Sequence, residues 1–204
     1  MVDCPFTEQC IEKGECTQAC PVYVQSSYLL ERNNIALSNP VVRLPRAEIQ
    51  KYNRILDQSD SKLSAYIVGN GDFTNQAADA LTYCAICRNW RGSQLHCTVY
   101  NLRFGQYLEA TQQSWSFRGN DAADKVEQMK IWVTGAKVLI ISNLDFINFK
   151  DFQSQTLLSL LQTRIDSNLT TIVVIPPLSS LVGEGQFFSR LTSILNRMKV
   201  GDGR

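Results

Sequence analysis

The chain has 204 residues, 44% of them hydrophobic and 19% charged, and a net charge of +1. That length suffices for one well-buried domain with a small appendage. The near-neutral balance excludes a global basic field, so any nucleic-acid contact must come from a local patch. No run of eighteen apolar residues marks a membrane span. Met1-Val2-Asp3 opens onto polar residues without a secretory leader, so the expectation is a cytoplasmic protein with reduced thiols.

Four of the seven cysteines fall in the first twenty residues, as Cys4-x5-Cys10-x5-Cys16-x3-Cys20. This polar segment has too few apolar residues to bury a core of its own, and four thiolates around one tetrahedral ion would hold it. A cysteine-only set suits structural zinc, although the x5 spacings are wider than those of ordinary zinc knuckles. An iron–sulfur cluster and two disulfides are the alternatives.

Helical spacing then runs from Pro21 to Leu30. Residues 33–45, with Asn33-Asn34, Ser38-Asn39-Pro40 and Pro45, read as a linker. A short helix is expected over Ala47–Leu56. From Leu63 the pattern alternates. Leu63–Val68 is a strand, Thr74–Trp90 an alanine-rich helix, Leu95–Tyr100 a strand and Leu102–Thr111 a helix. Asp121–Trp132 follows as a helix, Lys137–Ser142 as a buried strand, and Phe152–Ile165 as a helix. Thr170–Ile175 is the fourth strand and Gln186–Met198 the last helix. Apolar strands alternating with helices give a parallel sheet covered on both faces. Cys84-Ala-Ile-Cys87 has redox-motif spacing, but inside an apolar helix it reads as two small packed residues. His96 and Cys97 read as structural residues. Two local basic tips, Arg88 with Trp90 and Arg91, and Arg197 with Lys199 and Arg204, are candidate DNA contacts whose bland reading is a solvated helix end.

The first strand runs into Gly69-Asn70-Gly71 and then a helix, where a phosphate-binding loop belongs. Such a loop needs a lysine for the β- and γ-phosphates and a hydroxyl for magnesium. With Gly69, Asn70 and Gly71 at the end of the motif, Asp72 and Phe73 take those two positions, and a frame shifted by three residues offers Asn75 and Gln76. Asp72 beside a triphosphate would cost about 1–4 kcal/mol. An ATPase also places acids just after its third strand; here those positions are Ser142 and Asn143, with Asp145 two residues late. No catalytic residue is assigned, and neither binding nor hydrolysis of ATP is expected.

From about Leu63 onward the chain resembles the replicative-helicase loaders of bacteria and phages, the AAA+ group that includes DnaC, DnaI and the IstB proteins. The Gly-Asn-Gly loop, the alanine-rich helix and Leu95-His-Cys-Thr-Val-Tyr-Asn-Leu102 carry the resemblance. So do the Val-Leu-Ile-Ile-Ser-Asn-Leu strand, Leu157-x6-Arg164, the Thr-Ile-Val-Val strand and Phe188-Ser-Arg-Leu191. It implies an AAA+-like P-loop fold over residues 61–204, preceded by a cysteine-rich zinc-binding module at 1–32 and a linker with a short helix at 33–60. It places an arginine finger at Arg190 and a degenerate nucleotide site at Gly69, Asn70, Gly71, Asp72 and Phe73. Pro176-Pro177 replaces the family's polar sensor pair. The implied role is a phage-type replication protein in a bacterial cell, contacting a replicative helicase or its loader, with self-association and single-stranded DNA as further options. A zinc-containing single-strand binder and an active ATPase with an atypical loop are the alternatives.

Overall fold

The computed structural model describes residues 17–68, 73–91, 94–95, 98–116, 120–144, 151–180 and 185–203. Seven helices are described: α1 (Pro21–Arg32), α2 (Arg46–Gln58), α3 (Thr74–Arg88), α4 (Phe104–Ser116), α5 (Asn120–Gly135), α6 (Asp151–Asp166) and α7 (Gly185–Arg197). Five strands form one parallel sheet: β1 (Leu63–Val68), β4 (Val99–Arg103), β5 (Val138–Ser142), β6 (Thr170–Ile175) and β7 (Lys199–Gly203). A two-residue hairpin, β2 (Trp90–Arg91) with β3 (Gln94–Leu95), stands apart. Among the described residues no helix is long and apolar enough to cross a membrane.

The sheet order is β4-β5-β6-β1-β7. Right-handed crossovers then fix which face each helix covers. From β1 the chain moves leftward through α3 to the far edge, while every later crossover moves rightward, so α3 covers one face and α4–α7 the other. Side-chain alternation agrees. Tyr66, Val68, Ile140, Ile172 and Val174 pack with α1, α2 and α3, whereas Leu139, Ile141, Val173 and Ile175 pack with Leu157, Leu161, Leu191 and Leu195 of α6 and α7.

The sequence expectations for the helices and β5 and β6 correspond to observed elements. The strand expected at 95–100 is displaced: β4 is Val99–Arg103, because Gln94–Leu95 turns back on Trp90–Arg91. β7 was not anticipated, since Lys199-Val-Gly-Asp-Gly carries a single large apolar residue; it pairs with β1 on one side only, as an edge strand, with a bulge between Ala65 and Tyr66.

Residues 33–45 also depart from the expected linker. Asn34 adopts a left-handed φ of 57°, with Ile35 N–H donating to Leu30 O at 2.8 Å and Asn34 N–H to Glu31 O at 2.9 Å. This is a Schellman stop with asparagine in the position glycine commonly takes. It turns the chain inward, and Ile35, Val41 and Val42 are buried in the same core as α1, α2 and α3. A segment anchored this way packs as part of the body.

Candidate functional site

Adjacent parallel strands whose connections leave on opposite faces open a crevice at their carboxyl ends. β1 and β6 are such a pair: β1 continues into α3 on one face, and β6 crosses to β7 through α7 on the other. Val68, Ser142 and Ile175 end the three central strands there, and the amino terminus of α3 begins beside them. That end of α3 carries the positive end of the helix dipole.

Gly69, Asn70, Gly71 and Asp72 lie outside the described residues, as do Asp145, His96 and Cys97. Phe73 is described: it precedes α3 and is 52% exposed. Ser142 is fully buried, and its hydroxyl has no hydrogen-bond partner among the described residues. Asn143 follows in a left-handed conformation at φ 64°. A neutral buried hydroxyl and an amide therefore occupy the positions where an ATPase carries magnesium-binding acids, a poor donor set for a divalent cation. Pro176 is buried at the end of β6. Arg190 is exposed on α7, one residue before buried Leu191, with no ion pair among the described residues.

The two helices after β5 and β6 meet at the same end of the sheet. Gly185, the first residue of α7, has φ +90°, and a Cβ placed there would collide with the carboxylate of Asp151, the first residue of α6. Only glycine suits both the backbone and the close approach.

Of the four cysteine candidates, Cys4, Cys10 and Cys16 lie outside the described residues. Cys20 precedes Pro21 at the start of α1, half-buried against the core with a free thiol. No group of three metal-ligating side chains occurs among the described residues. Cys84 is buried and its thiol is pushed up to about 12 by desolvation, which leaves it protonated and unreactive at neutral pH. That accords with the packing role expected for it.

A buried polar cluster under α3 escaped sequence reasoning. Asp79 is 5% exposed, faces Arg103 at 3.5 Å, and accepts from Asn101 Nδ2 at 2.9 Å and Asn39 Nδ2 at 3.3 Å. Burial raises its pKa above the ordinary carboxylate value, an effect that Arg103, Asn39 and Asn101 oppose. Asn33 joins the cluster at the edge of the sheet: its Oδ1 accepts from Asn101 N–H at 2.7 Å, and its Nδ2 donates to Val99 O at 3.4 Å and Leu29 O at 2.8 Å. One amide thus satisfies two of the backbone groups that edge strand β4 turns outward. The cluster ties α1, the turn at Pro40–Arg43 and α3 to β4, and so fixes the helix whose amino terminus faces the crevice. An acid inside Ala77-Ala78-Asp79-Ala80-Leu81 was the available signal.

No family model matches the chain, and no curated protein matches it by sequence. Solved structures do. A replication initiator, DnaA, bound to AMPPCP and single-stranded DNA superposes with a TM-score of 0.56 at 12% identity, over 77% of this chain and 45% of that one. AMPPCP-bound DnaA from Aquifex aeolicus gives 0.53 at 10% identity, over 76% and 44%. A further structure, described as a DNA replication initiation factor, gives 0.55 at 12% identity, over 75% and 44%. The chain spans less than half the length of these structures, and at such identities the likeness is one of fold. The parallel five-stranded sheet flanked by helices is similar in fold to these replication initiators.

Proposed function

We propose that this chain is a DNA-replication protein whose amino-terminal cysteine module grips a replicative helicase or its loader while its AAA+-like body stacks on a loader or a second copy, with ATP turnover absent or slow. The observation that carries the reading is the pairing of an AAA+-like sheet with a sequence that lacks the ATPase charges: buried Ser142 and half-buried Asn143 stand in place of the acids, and the sequence from Gly69 to Gln76 holds no lysine. A fold kept without its phosphate-handling charges retains its surfaces as its working parts. Exposed Arg190 would act on a neighbouring subunit, either a loader or a second copy of the chain. Cys4, Cys10, Cys16 and Cys20 would hold one structural zinc, with Cys20 fastening that module to the start of α1.

Purified full-length protein should co-elute with a replicative helicase, and Cys16→Ser should weaken that capture while Arg190→Ala spares it. Elemental analysis should find about one zinc per chain. ATP turnover near an ordinary enzyme's rate, on the order of 1 s⁻¹ or above, with DNA or helicase present would overturn the reading. So would the absence of any helicase or loader complex. Single-stranded DNA is the second reading, favoured by the initiator structure solved with that ligand; salt-dependent oligonucleotide binding would support it.

A further inference from the structure

The opposite edge of the sheet, where the strands begin, carries two clefts. One, of about 390 Å³, lies between the ends of α2 and α3 and the starts of β5 and β6; the other, of about 460 Å³, lies between the ends of α6 and α7 and the starts of β1 and β7. Both are lined by Ser61, Asn168 and Leu169, so they form one trough along the edge.

Charge is segregated in it. The first cleft is lined by Arg88, Lys137 and Asp60, the second by Lys62, Arg197 and Lys199 with no acid. Five cations against one acid is a strong local excess for a chain of net charge +1. Asp57 pairs with Arg88 at 2.5 Å, and Asp60 accepts from the Thr170 hydroxyl at 3.3 Å. Helix carbonyl ends attract cations and account for Arg88 and Arg197, each in the last turn of its helix. They do not account for Lys62, Lys137 and Lys199, which stand at the entrances of β1, β5 and β7.

The second cleft has an aliphatic floor that includes Leu63, Leu169, Met198 and Ile165, the last 42% exposed. No aromatic side chain lines either cleft, so bases would find no stacking platform. From Lys137 on β5 to Lys199 on β7 is three strand spacings, roughly 14 Å, which an extended peptide covers in about four or five residues.

We propose that this trough docks an acidic peptide segment of a partner protein, its carboxylates against Lys62, Lys137, Arg197 and Lys199 and an aliphatic side chain on the floor beside Ile165. The proposal rests on the reading that the chain works through protein contacts, but it concerns a surface distinct from the crevice and the cysteine module. Exposed charge pairs each contribute modestly and the apolar contact adds register, so the affinity is weak and salt-sensitive.

The test titrates the full chain into fluorescein-labelled Asp-Glu-Asp-Leu-Leu-Glu-Asp-Glu at low salt and follows anisotropy. Saturable binding is expected with a Kd on the order of 10–100 µM. The double reversal Lys62→Glu with Arg197→Glu should weaken it about tenfold, as should Ile165→Asp. Replacing both leucines of the peptide by serine should weaken it about fivefold. If a reversal lowers the thermal melt, amide shifts of the unaltered protein decide, and they must move at Ser61, Asn168 and Leu169. No saturable binding, binding indifferent to the reversals, or an oligothymidylate that binds through these lysines where the peptide does not would each overturn the proposal. The titration contains no helicase, so it can fail while helicase capture succeeds, and the reverse.

Discussion

Among the described residues Arg164 is the largest of the fully buried side chains, at 1% exposure, and no carboxylate pairs with it. Its charge is met by oxygens. Nη1 donates to Val133 O at 2.9 Å and Ala136 O at 2.6 Å, at the carbonyl end of α5; Nη2 donates to Thr170 O at 2.8 Å and Nε to the Thr171 hydroxyl at 2.8 Å. Desolvation lowers its pKa to about 10, so it remains charged at neutral pH. One guanidinium therefore caps α5, anchors α6 and reaches the first residues of β6. Arg164→Ala strips three buried carbonyls of their donors, each costing at least about 1 kcal/mol, and leaves a void among packed side chains. The expected loss is about 3–5 kcal/mol, a fall in Tm of roughly 8–15 °C for a domain of this size. Arg164→Lys should recover less than half, because a single ammonium cannot span the three elements. Urea unfolding followed by circular dichroism measures both variants. A loss below about 1 kcal/mol for Arg164→Ala, with an unchanged urea slope, would refute the capping argument.

Three further outcomes follow from single contacts. Gly185→Ala should cost about 1–2 kcal/mol, since φ +90° strains any residue with a Cβ and Asp151 must swing aside; equal melts for the two proteins would be inconsistent with the described start of α7. Asp79 has a folded-state pKa above its unfolded value, so the folded protein binds more protons in the window between the two. Its stabilising contribution is full below the unfolded value of 3.8 and is lost as pH rises through the raised folded value. The stability difference between the native protein and Asp79→Asn should therefore shift against the native protein as pH rises through that window, and a flat difference from acid to neutral pH would contradict the assignment. Asn33→Ala should leave Asn101 N–H and Val99 O unpaired at the sheet edge, cost about 1–3 kcal/mol, and speed hydrogen exchange at the Asn101 amide.

What could be read in advance was whatever repeats. Apolar runs such as Val138–Ser142 and Thr170–Ile175 are buried on both faces and announce themselves without regard to partners. What could not be read depended on single residues whose meaning is set by distant ones. Asn33-Asn34 signals a break in either reading, and only the burial of Leu30 and Ile35 makes it a helix stop that turns the chain into the core. Asn168 repeats the device at the end of α6, with φ 53° and Leu169 N–H donating to Arg164 O at 3.1 Å. β7 has almost no strand signal because an edge strand needs only its backbone and one neighbour. At the crevice, the neutral character of Ser142 and Asn143 was legible from spacing, whereas the cluster around Asp79 joins residues as far apart as Asn33 and Arg103 and has no local pattern.

The charge of the chain makes the same point at larger scale. A net value of +1 rightly excludes a field around the whole molecule, yet it places no limit on how charges are sorted across the surface. Parallel topology performs the sorting. Every strand of such a sheet begins at one edge, so residues that introduce strands become neighbours however far apart they stand in sequence. Lys62, Lys137 and Lys199 lie along most of the chain's length and are gathered along one edge by the order β5-β6-β1-β7. The two basic tips seen in the sequence, around Arg88 and around Arg197, are the flanks of that same edge. At the crevice end Ser142 and Asn143 present a hydroxyl and an amide, while the opposite end carries the cations and an aliphatic floor. Charge sorted in this way gives the edge where the strands begin a basic face that a net value of +1 conceals.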